Sequence, residues 1–248
     1  MENCPSGYER TAHLYDLFDD KENAGFFAHY AQRAGEILDV GAGTGRIAIA
    51  LAERGISLVC VEPSPAMRSE FQRKLARRPD LQHRIAVVPG DAASFQLEYT
   101  LPAAFLSGSF DHFRDGQERL ASLRNIRRHL APGGTLVFDV FLGLMGDSPL
   151  TPAGRVQRAG VDYRRLVGRR TLPGQKVEVR LVFEVYRRGA PVDRIEEVSV
   201  VGVVDRSQVH GVLAEAGFSV RREFSDYDFT PYHDGDRLLI VEAMCRQP

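Results

Sequence analysis

Short apolar runs alternate with amphipathic segments through the first 143 residues of the chain. The apolar runs lie at 36–40, 57–61, 84–88, 103–107 and 135–141, and each predicts a strand. Between them, apolar residues recur at helical spacing, as in Met67, Phe71 and Leu75. Strands that alternate with helices in this way predict crossover connections and a parallel sheet that is covered on both faces.

Helices are expected on either side of these strands. Residues 1–35 are predicted to be helical, with Leu14, Leu17 and Phe18 on one face. Ser64 and Pro65 are typical of a helix start, and Asp205 is expected to cap another helix. Further helices are predicted at 47–53 and 120–130, each followed by glycine.

The pattern changes after Gly143. Residues 162–172, 175–187 and 192–204 alternate between apolar and polar positions, which predicts a three-stranded antiparallel insertion with one covered face. Residues 218–224 and 237–245 are predicted to end the parallel sheet as a hairpin. The predicted fold is therefore α/β and Rossmann-like: a seven-stranded, mostly parallel sheet with helices on both faces. Residues 1–143 and 205–248 form the core, and residues 144–204 form the insertion.

Composition narrows the class of protein. The chain has 248 residues and a formal net charge of −1, which suits one core domain carrying an insertion and gives no sign of a nucleic-acid partner. The arginines near residues 164–170 are accompanied by acids, which favours a solvated mixed surface. No apolar run is long enough for a bilayer, and a cytoplasmic location is expected. Cys4, Cys60 and Cys245 lack paired spacing, so neither a disulfide framework nor a metal site is predicted.

The most informative segment is 39–45, in which Asp39 precedes three alternating glycines, with Glu62 seventeen residues beyond Gly45. Glycine permits a sharp turn and close approach of a ligand to the backbone. The segment joins a strand to a helix at the carboxyl edge of the predicted sheet, where open α/β sheets bind ligands. An acid at the end of the second strand accepts hydrogen bonds from both ribose hydroxyls, so we expect a nucleoside.

The identity of that nucleoside is not settled by the glycines. Residues 43–48 also fit G-x-G-x-x-A, which leaves a dinucleotide open. Asp39 argues against a dinucleotide, since its charge would repel a pyrophosphate and attract an ammonium group. No Lys or Arg lies in the loop ahead of the helix to offset that charge.

Four segments together resemble the signatures of class I S-adenosylmethionine-dependent methyltransferases: residues 37–45, 61–67, 90–92 and 130–134. The resemblance implies that S-adenosylmethionine is the cofactor. It implies that Asp39 and Gly41 contact the methionine part, Glu62 the ribose, and Asp91 and Ala92 the adenine. The other expected cofactor contacts are Ala42, Gly43, Gly45, Pro63, Met67 and Ser107.

The insertion and residues 225–231 are similar to those of small-molecule N-methyltransferases of the amino-sugar N,N-dimethyltransferase and glycine N-methyltransferase type. In those relatives a Tyr-Asp pair in the N-terminal helix closes over the cofactor, and Tyr15-Asp16 occupies that place. Ser225 stands where the relatives usually have glycine. Tyr15 is therefore one candidate catalytic residue.

His112 is the second candidate, because it follows the fourth strand and its ordinary pKa suits base work near neutrality. Further candidates for the acceptor pocket are Tyr227, Asp228, Tyr232 and Arg180, although each alone is expected at the surface or in the core. The expected activity is methyl transfer to a small molecule, first to an amine nitrogen and second to an oxygen. An NAD(P)-dependent oxidoreductase and a non-catalytic binding module are the alternatives, and a homodimer is left open.

Overall fold

The structure, a computed structural model, describes residues 8–18, 23–143 and 146–246. Within these residues the chain forms two sheets. The strands of the first sheet are β1 (Glu36–Val40), β2 (Ser57–Glu62), β3 (Ile85–Pro89), β4 (Leu101–Leu106), β5 (Leu130–Phe141), β10 (Phe218–Phe224) and β11 (Leu238–Cys245). The strands of the second sheet are β6 (Ser148–Arg158), β7 (Val161–Leu172), β8 (Lys176–Arg187) and β9 (Ala190–Gly202).

The first sheet has the strand order β10-β11-β5-β4-β1-β2-β3. β1 lies near its centre and pairs in parallel with β2 and β4, whereas β11 pairs antiparallel with β5 and β10. The predicted seven-stranded, mostly parallel sheet and its closing hairpin are therefore confirmed. Because β1 and β2 run the same way, the residues at their carboxyl ends meet at one edge.

Helices cover both faces of this sheet, as predicted. The helices are α1 (Ala12–Tyr15), α2 (Ala24–Ala34), α3 (Arg46–Ala52), α4 (Pro65–Leu75), α5 (Gly116–Arg128) and α6 (Arg206–Glu215). α2, α3 and α4 pack their apolar residues against one face, and α5 and α6 pack theirs against the other. The Ser64 side chain caps α4, and Asp205 forms a capping box at the start of α6.

The prediction of a three-stranded insertion is wrong in one respect, since the antiparallel sheet has four strands in the order β6-β7-β8-β9. The missed strand, β6, contains Pro149, Pro152 and Gly154, which predict a loop. β6 pairs only with β7 in the described chain, and two register shifts interrupt the pairing. A strand at a sheet edge tolerates proline because its outer N–H groups need no partner in the ladder.

The helical prediction for residues 1–35 is wrong for part of the N-terminal region. Residues 1–7 and 19–22 lie outside the described residues, and only α1 and α2 are helical in the remainder. The predicted face of Leu14, Leu17 and Phe18 is apolar as expected, but it packs on Phe183 and Ile195 of the antiparallel sheet. Residues 8–18 therefore lie between the core and the insertion.

The cysteines, possible membrane helices and possible metal sites are assessed for the described residues alone. Cys60 and Cys245 are buried free thiols, and Cys4 lies outside the described residues. Among the described residues no helix is both long and apolar enough to span a membrane, and no group of three or more His, Cys, Asp and Glu has the arrangement of a metal site.

Candidate functional site

A cavity of about 980 Å³ opens at the carboxyl edge of the parallel sheet. Its walls come from the ends of β1, β2, β3 and β4, from residues 8–16 of the N-terminal segment, and from β9 of the insertion. This volume is at the upper end of the range of roughly 300–1,000 Å³ for small-molecule pockets. The cavity therefore has room for a nucleoside and a second ligand beside it.

Two buried carboxylates lie at the base of the cavity. Asp39, the second-last residue of β1, is 2% exposed, and Glu62, the last residue of β2, is 6% exposed. Burial and the neighbouring charge of Glu62 raise the pKa of Asp39 to about 7, although Arg46 opposes the shift. Burial also raises the pKa of Glu62. Two adjacent acids of this kind favour a ligand that carries positive charge or donates hydrogen bonds.

Glu62 also shapes the loop around it. Its Oε2 accepts a hydrogen bond from the Gly43 N–H at 2.8 Å, and its Oε1 accepts one from the Ser64 N–H at 2.8 Å. A carboxylate has about four lone-pair positions, so two remain for ligand hydroxyls. The same side chain thus fixes the glycine loop and the start of α4.

The glycines of the loop have specific steric roles. Gly41 has a φ of +73°, and a Cβ there would overlap the side chain of Ser109, which donates a hydrogen bond to the Gly41 carbonyl at 3.1 Å. Gly45 has a φ of +78°, and a Cβ there would overlap the ring of Phe71. Gly45 does not line the cavity, so glycine is needed at this position for the packing of α3 on α4 rather than for contact with a ligand.

The other residues predicted for cofactor or catalysis do line the cavity: Tyr15, Asp39, Gly41, Ala42, Gly43, Glu62, Pro63, Met67, Asp91, Ala92, Ser107 and His112. Asp91 has local partners as well, since it accepts hydrogen bonds from the Ala93 N–H at 2.9 Å and the Ser94 hydroxyl at 2.5 Å. Its side chain therefore also stabilises the turn after β3. The individual roles of these residues stay predictions.

Arg46 changes the electrostatic argument made from the sequence. No cation lies within the loop, but Arg46 is the first residue of α3 and lines the cavity. Its Nη1 donates to the Asn23 side-chain oxygen at 2.7 Å. Arg46 therefore partly offsets the charge of Asp39 at the base of the cavity, as Arg68 does for Glu62.

His112 lies in a short 3₁₀ turn, Phe110–His112, that follows β4. Burial lowers the pKa of His112, and the charge of Glu118 partly opposes this shift. Glu118 accepts hydrogen bonds from the backbone N–H of Arg114 at 3.0 Å and from its Nε at 3.1 Å. His112 is thus a neutral imidazole at the cavity wall near pH 7, with a ring nitrogen able to accept a proton.

The N-terminal segment closes one side of the cavity with Tyr8, Tyr15 and Asp16. Asp16 accepts a hydrogen bond from the Thr44 hydroxyl at 2.5 Å and forms an ion pair with Lys74 at 2.5 Å. Asp16 therefore fastens this segment to the glycine loop and to α4. On its other side, the segment bonds to the insertion through Thr11 and Glu197.

Residues 198–200 of β9 bring the insertion into the cavity wall, a contribution that the sequence does not reveal. Val198 is 39% exposed although it is apolar. Thr44, Arg68, Ser109, Arg114, Glu118 and Ser122 are further lining residues that were not predicted. Thr44 lies within the glycine loop and Ser109 lies three residues before His112, so the sequence offered a signal for these two residues alone.

The four candidates for the acceptor pocket, all within the described chain, do not line this cavity and lie at the surface or in the core, the alternative expected for each alone. Tyr227 is directed into the core, where its hydroxyl bonds to Asp139 at 2.7 Å. Arg180 pairs with Glu196 on the surface, and Tyr232 packs beside Arg206. Asp228 lies in an exposed turn that is stabilised by Asp226.

Comparison with known proteins gives the family of the central segment. The methyltransferase domain family matches residues 37–134. The cypemycin N-terminal methyltransferase of Streptomyces sp is 32% identical over 168 residues, which are 64% of this chain and 62% of that protein. The chain spans 62–64% of the length of the curated relatives that it matches.

Solved structures share the fold at low identity. The CcbJ methyltransferase from Streptomyces caelestis superposes with a TM-score of 0.83 at 19% identity, over 99% of this chain and 100% of that one. CalS10, an amino pentose methyltransferase from Micromonospora echinaspora solved with bound SAM, superposes with a TM-score of 0.73 at 20% identity, over 98% and 99%. Residues 37–134 therefore match the methyltransferase domain family, within a chain that has the fold of solved methyltransferases.

Proposed function

We propose that the protein transfers a methyl group from S-adenosylmethionine to an amine nitrogen of a small molecule. The observation that carries the proposal is the pair of buried carboxylates, Asp39 and Glu62, beside the open backbone of the glycine loop. S-adenosylmethionine presents an ammonium group, a sulfonium and two ribose hydroxyls. These groups match the charge and the hydrogen-bond acceptors of the cavity base.

The proposed contacts follow from the position of each residue. Asp39, with the backbone of Gly41, would hold the methionine part, and Glu62 would accept hydrogen bonds from the ribose through its remaining lone pairs. Asp91 and Ala92, after β3, would hold the adenine. Met67 and Pro63 would pack against the nucleoside, since both line the same wall.

The cofactor supplies a methyl group that is already activated by its sulfonium. The protein then has to align the acceptor, exclude water and keep the amine unprotonated. His112 is suited to accept a proton from the acceptor, because its lowered pKa leaves the imidazole neutral near pH 7. Tyr15, which also lines the cavity, would orient the acceptor.

The amine acceptor is supported by the names of relatives. CalS10 is described as acting on an amino pentose, and the cypemycin relative as an N-terminal methyltransferase, so both names point to amines. Residues 144–204 are proposed to form a separate unit whose β9 covers the acceptor, because residues 198–200 line the cavity. A hydroxyl acceptor is the second candidate, since neutral His112 would also suit deprotonation of an alcohol.

Methyl transfer can be tested with isotopically labelled S-adenosylmethionine and a panel of paired acceptors. Each pair consists of an amino sugar or short peptide with a free amine and its N-acetylated form. We expect label in at least one free amine and in none of the acetylated partners. Label in hydroxyl compounds alone would support the O-methyltransferase alternative, and binding of S-adenosylhomocysteine without transfer would favour a non-catalytic binding module.

A further inference from the structure

A buried hydrogen-bond network lies behind the cavity wall, and Asp139 of β5 is its centre. Asp139 is 2% exposed, on a strand that is otherwise apolar along its central part. Its Oδ1 accepts a hydrogen bond from the Gly108 N–H at 2.5 Å, and its Oδ2 accepts one from the Tyr227 hydroxyl at 2.7 Å. A buried carboxylate needs such donors because its desolvation is costly.

The network joins segments that are far apart in the chain. The Ser107 hydroxyl lies 3.5 Å from Asp139 Oδ2, and it accepts a hydrogen bond from the Asn23 amide at 3.0 Å. Asn23, which is fully buried, in turn accepts from Arg46 at 2.7 Å. Thus one set of contacts links β4, β5, the start of α2, the start of α3 and the C-terminal segment.

Three members of this network also line the cavity: Ser107, Gly108 and Arg46. Gly108 has a φ of +64° and begins the turn that carries Ser109 and His112. Held in this conformation by Asp139, it directs the turn toward the cavity. Tyr227 and Asn23 do not line the cavity, so they act on it only through their partners.

We propose that Asp139 and Tyr227 are positioning residues that hold the turn after β4, and with it Ser107 and His112, in the conformation that binds cofactor and acceptor. The consequence for methyl transfer rests on the proposed function, whereas the effect on the turn does not. Tyr227 is important because it brings the C-terminal segment to the network. Burial and the charge of Asp139 raise the pKa of the Tyr227 hydroxyl, so it remains a donor.

The test uses Tyr227→Phe, which removes one hydroxyl, with Tyr232→Phe as the matched control. Tyr232 lies in the same C-terminal segment, and its hydroxyl bonds only weakly to the Asp236 carbonyl, at 3.4 Å. Amide hydrogen exchange of residues 107–113 is measured by mass spectrometry. We expect exchange there to accelerate about tenfold or more in Tyr227→Phe, with unchanged exchange in β2 and with wild-type rates in Tyr232→Phe, because loss of a local hydrogen bond promotes local opening.

Binding of S-adenosylhomocysteine is the second readout. Its Kd should rise about three- to tenfold in Tyr227→Phe and more in Asp139→Ala, with no change in Tyr232→Phe, since loss of a hydrogen bond to a charged group has at least this effect. Unchanged exchange at 107–113, or an equal increase throughout the chain, would overturn the positioning role. If wild-type protein fails to bind S-adenosylhomocysteine while exchange at 107–113 responds as expected, the proposed cofactor is wrong and the positioning role stands.

Discussion

The two ends of the cavity are built in different ways. Most of the end proposed for the cofactor is made by one strand-turn-helix unit and the following strand, so that Asp39, the glycine loop and Glu62 come from 24 consecutive residues, 39–62. Asp91, Ala92 and Ser107 join it from the ends of the next two strands. The end proposed for the acceptor is assembled from three distant segments: residues 8–16, residues 112–114 and residues 198–200. A short local unit is rigid and recognisable in a sequence, whereas the acceptor end exists only after the insertion and the core have packed.

This difference predicts that the two ends respond separately to substitution. Changes at the cofactor end should alter the binding of S-adenosylhomocysteine. Changes at the acceptor end should leave that binding intact and alter turnover or the KM of the acceptor. The acceptor used to measure kcat and KM is the amine that becomes labelled in the transfer assay.

The largest effect is expected for His112→Ala. General bases contribute about 10²–10⁴-fold to rates, and an amine can also lose its proton to solvent, so we expect kcat to fall about 100-fold. The Kd of S-adenosylhomocysteine should change less than threefold, which is about the effect of a single weak contact. Steady-state kinetics and calorimetry measure the two quantities. His83→Ala is the control, because His83 is exposed and does not line the cavity. Equal turnover in His112→Ala and wild type would remove His112 from the mechanism.

Glu62→Ala should weaken binding of S-adenosylhomocysteine by about 1–3 kcal/mol, because charged hydrogen bonds to the ribose and to the Gly43 N–H are lost together. Calorimetry measures this directly. The matched control is Glu53→Ala, since Glu53 is an exposed acid paired with Arg78. An unaltered Kd in Glu62→Ala would mean that Glu62 serves only the loop and does not touch the ligand.

Cofactor binding should also depend on pH through Asp39. The pKa of Asp39 is raised to about 7 in the free protein. As the pH falls below this value, a growing fraction of the Asp39 carboxyl is protonated, and the protonated form lacks the charge that is expected to bind the ammonium group. Affinity for S-adenosylhomocysteine should therefore rise with pH and level off above about 7, being about tenfold weaker one unit below that value. Calorimetry in buffers of different ionisation enthalpy should show release of a proton on binding at pH 6.

The raised pKa of Asp39 affects stability in the opposite direction, so that the free energy of unfolding of the free protein should fall as pH rises. Because the folded pKa of Asp39 is above its ordinary value of 3.8, the free protein is stabilised by the protonated form, and this contribution is lost as pH rises toward about 7. Asp39→Asn should abolish both the pH dependence of binding and the proton release. A pH dependence that persists in Asp39→Asn would assign it to another group.

The smallest effect is expected for Val198→Ala, at the acceptor end. Removing two methyl groups from this partly exposed wall should weaken binding of the acceptor by about 1 kcal/mol. The KM of the acceptor should therefore rise about fivefold, with no change in cofactor affinity. Val192→Ala on the same strand is the control, because Val192 is 56% exposed and does not line the cavity. Identical KM values in both variants would show that β9 does not touch the acceptor.

The same division explains what the sequence could and could not reveal. Local spacing was enough to predict the glycine loop, Asp39 and Glu62. The alternation of apolar runs and amphipathic segments was enough to predict the order of strands and helices along the core part of the chain. β6 was missed because its prolines oppose a strand and only pairing with β7 stabilises it. The acceptor wall could not be placed because the sequence has no periodic signal for the approach of β9 to the turn at residues 110–112. Asp139 left one trace, as an acid within an apolar strand, but its partners Gly108 and Tyr227 lie 31 and 88 residues away.

The most direct test of the central claim is calorimetric titration of the wild-type protein with S-adenosylhomocysteine and, separately, with NAD. If Asp39 and Glu62 hold the ammonium group and the ribose of a nucleoside, S-adenosylhomocysteine should bind with a Kd in the micromolar range or below, and NAD should bind at least 100-fold more weakly because its pyrophosphate meets two carboxylates. Micromolar binding of NAD without binding of S-adenosylhomocysteine would contradict the account.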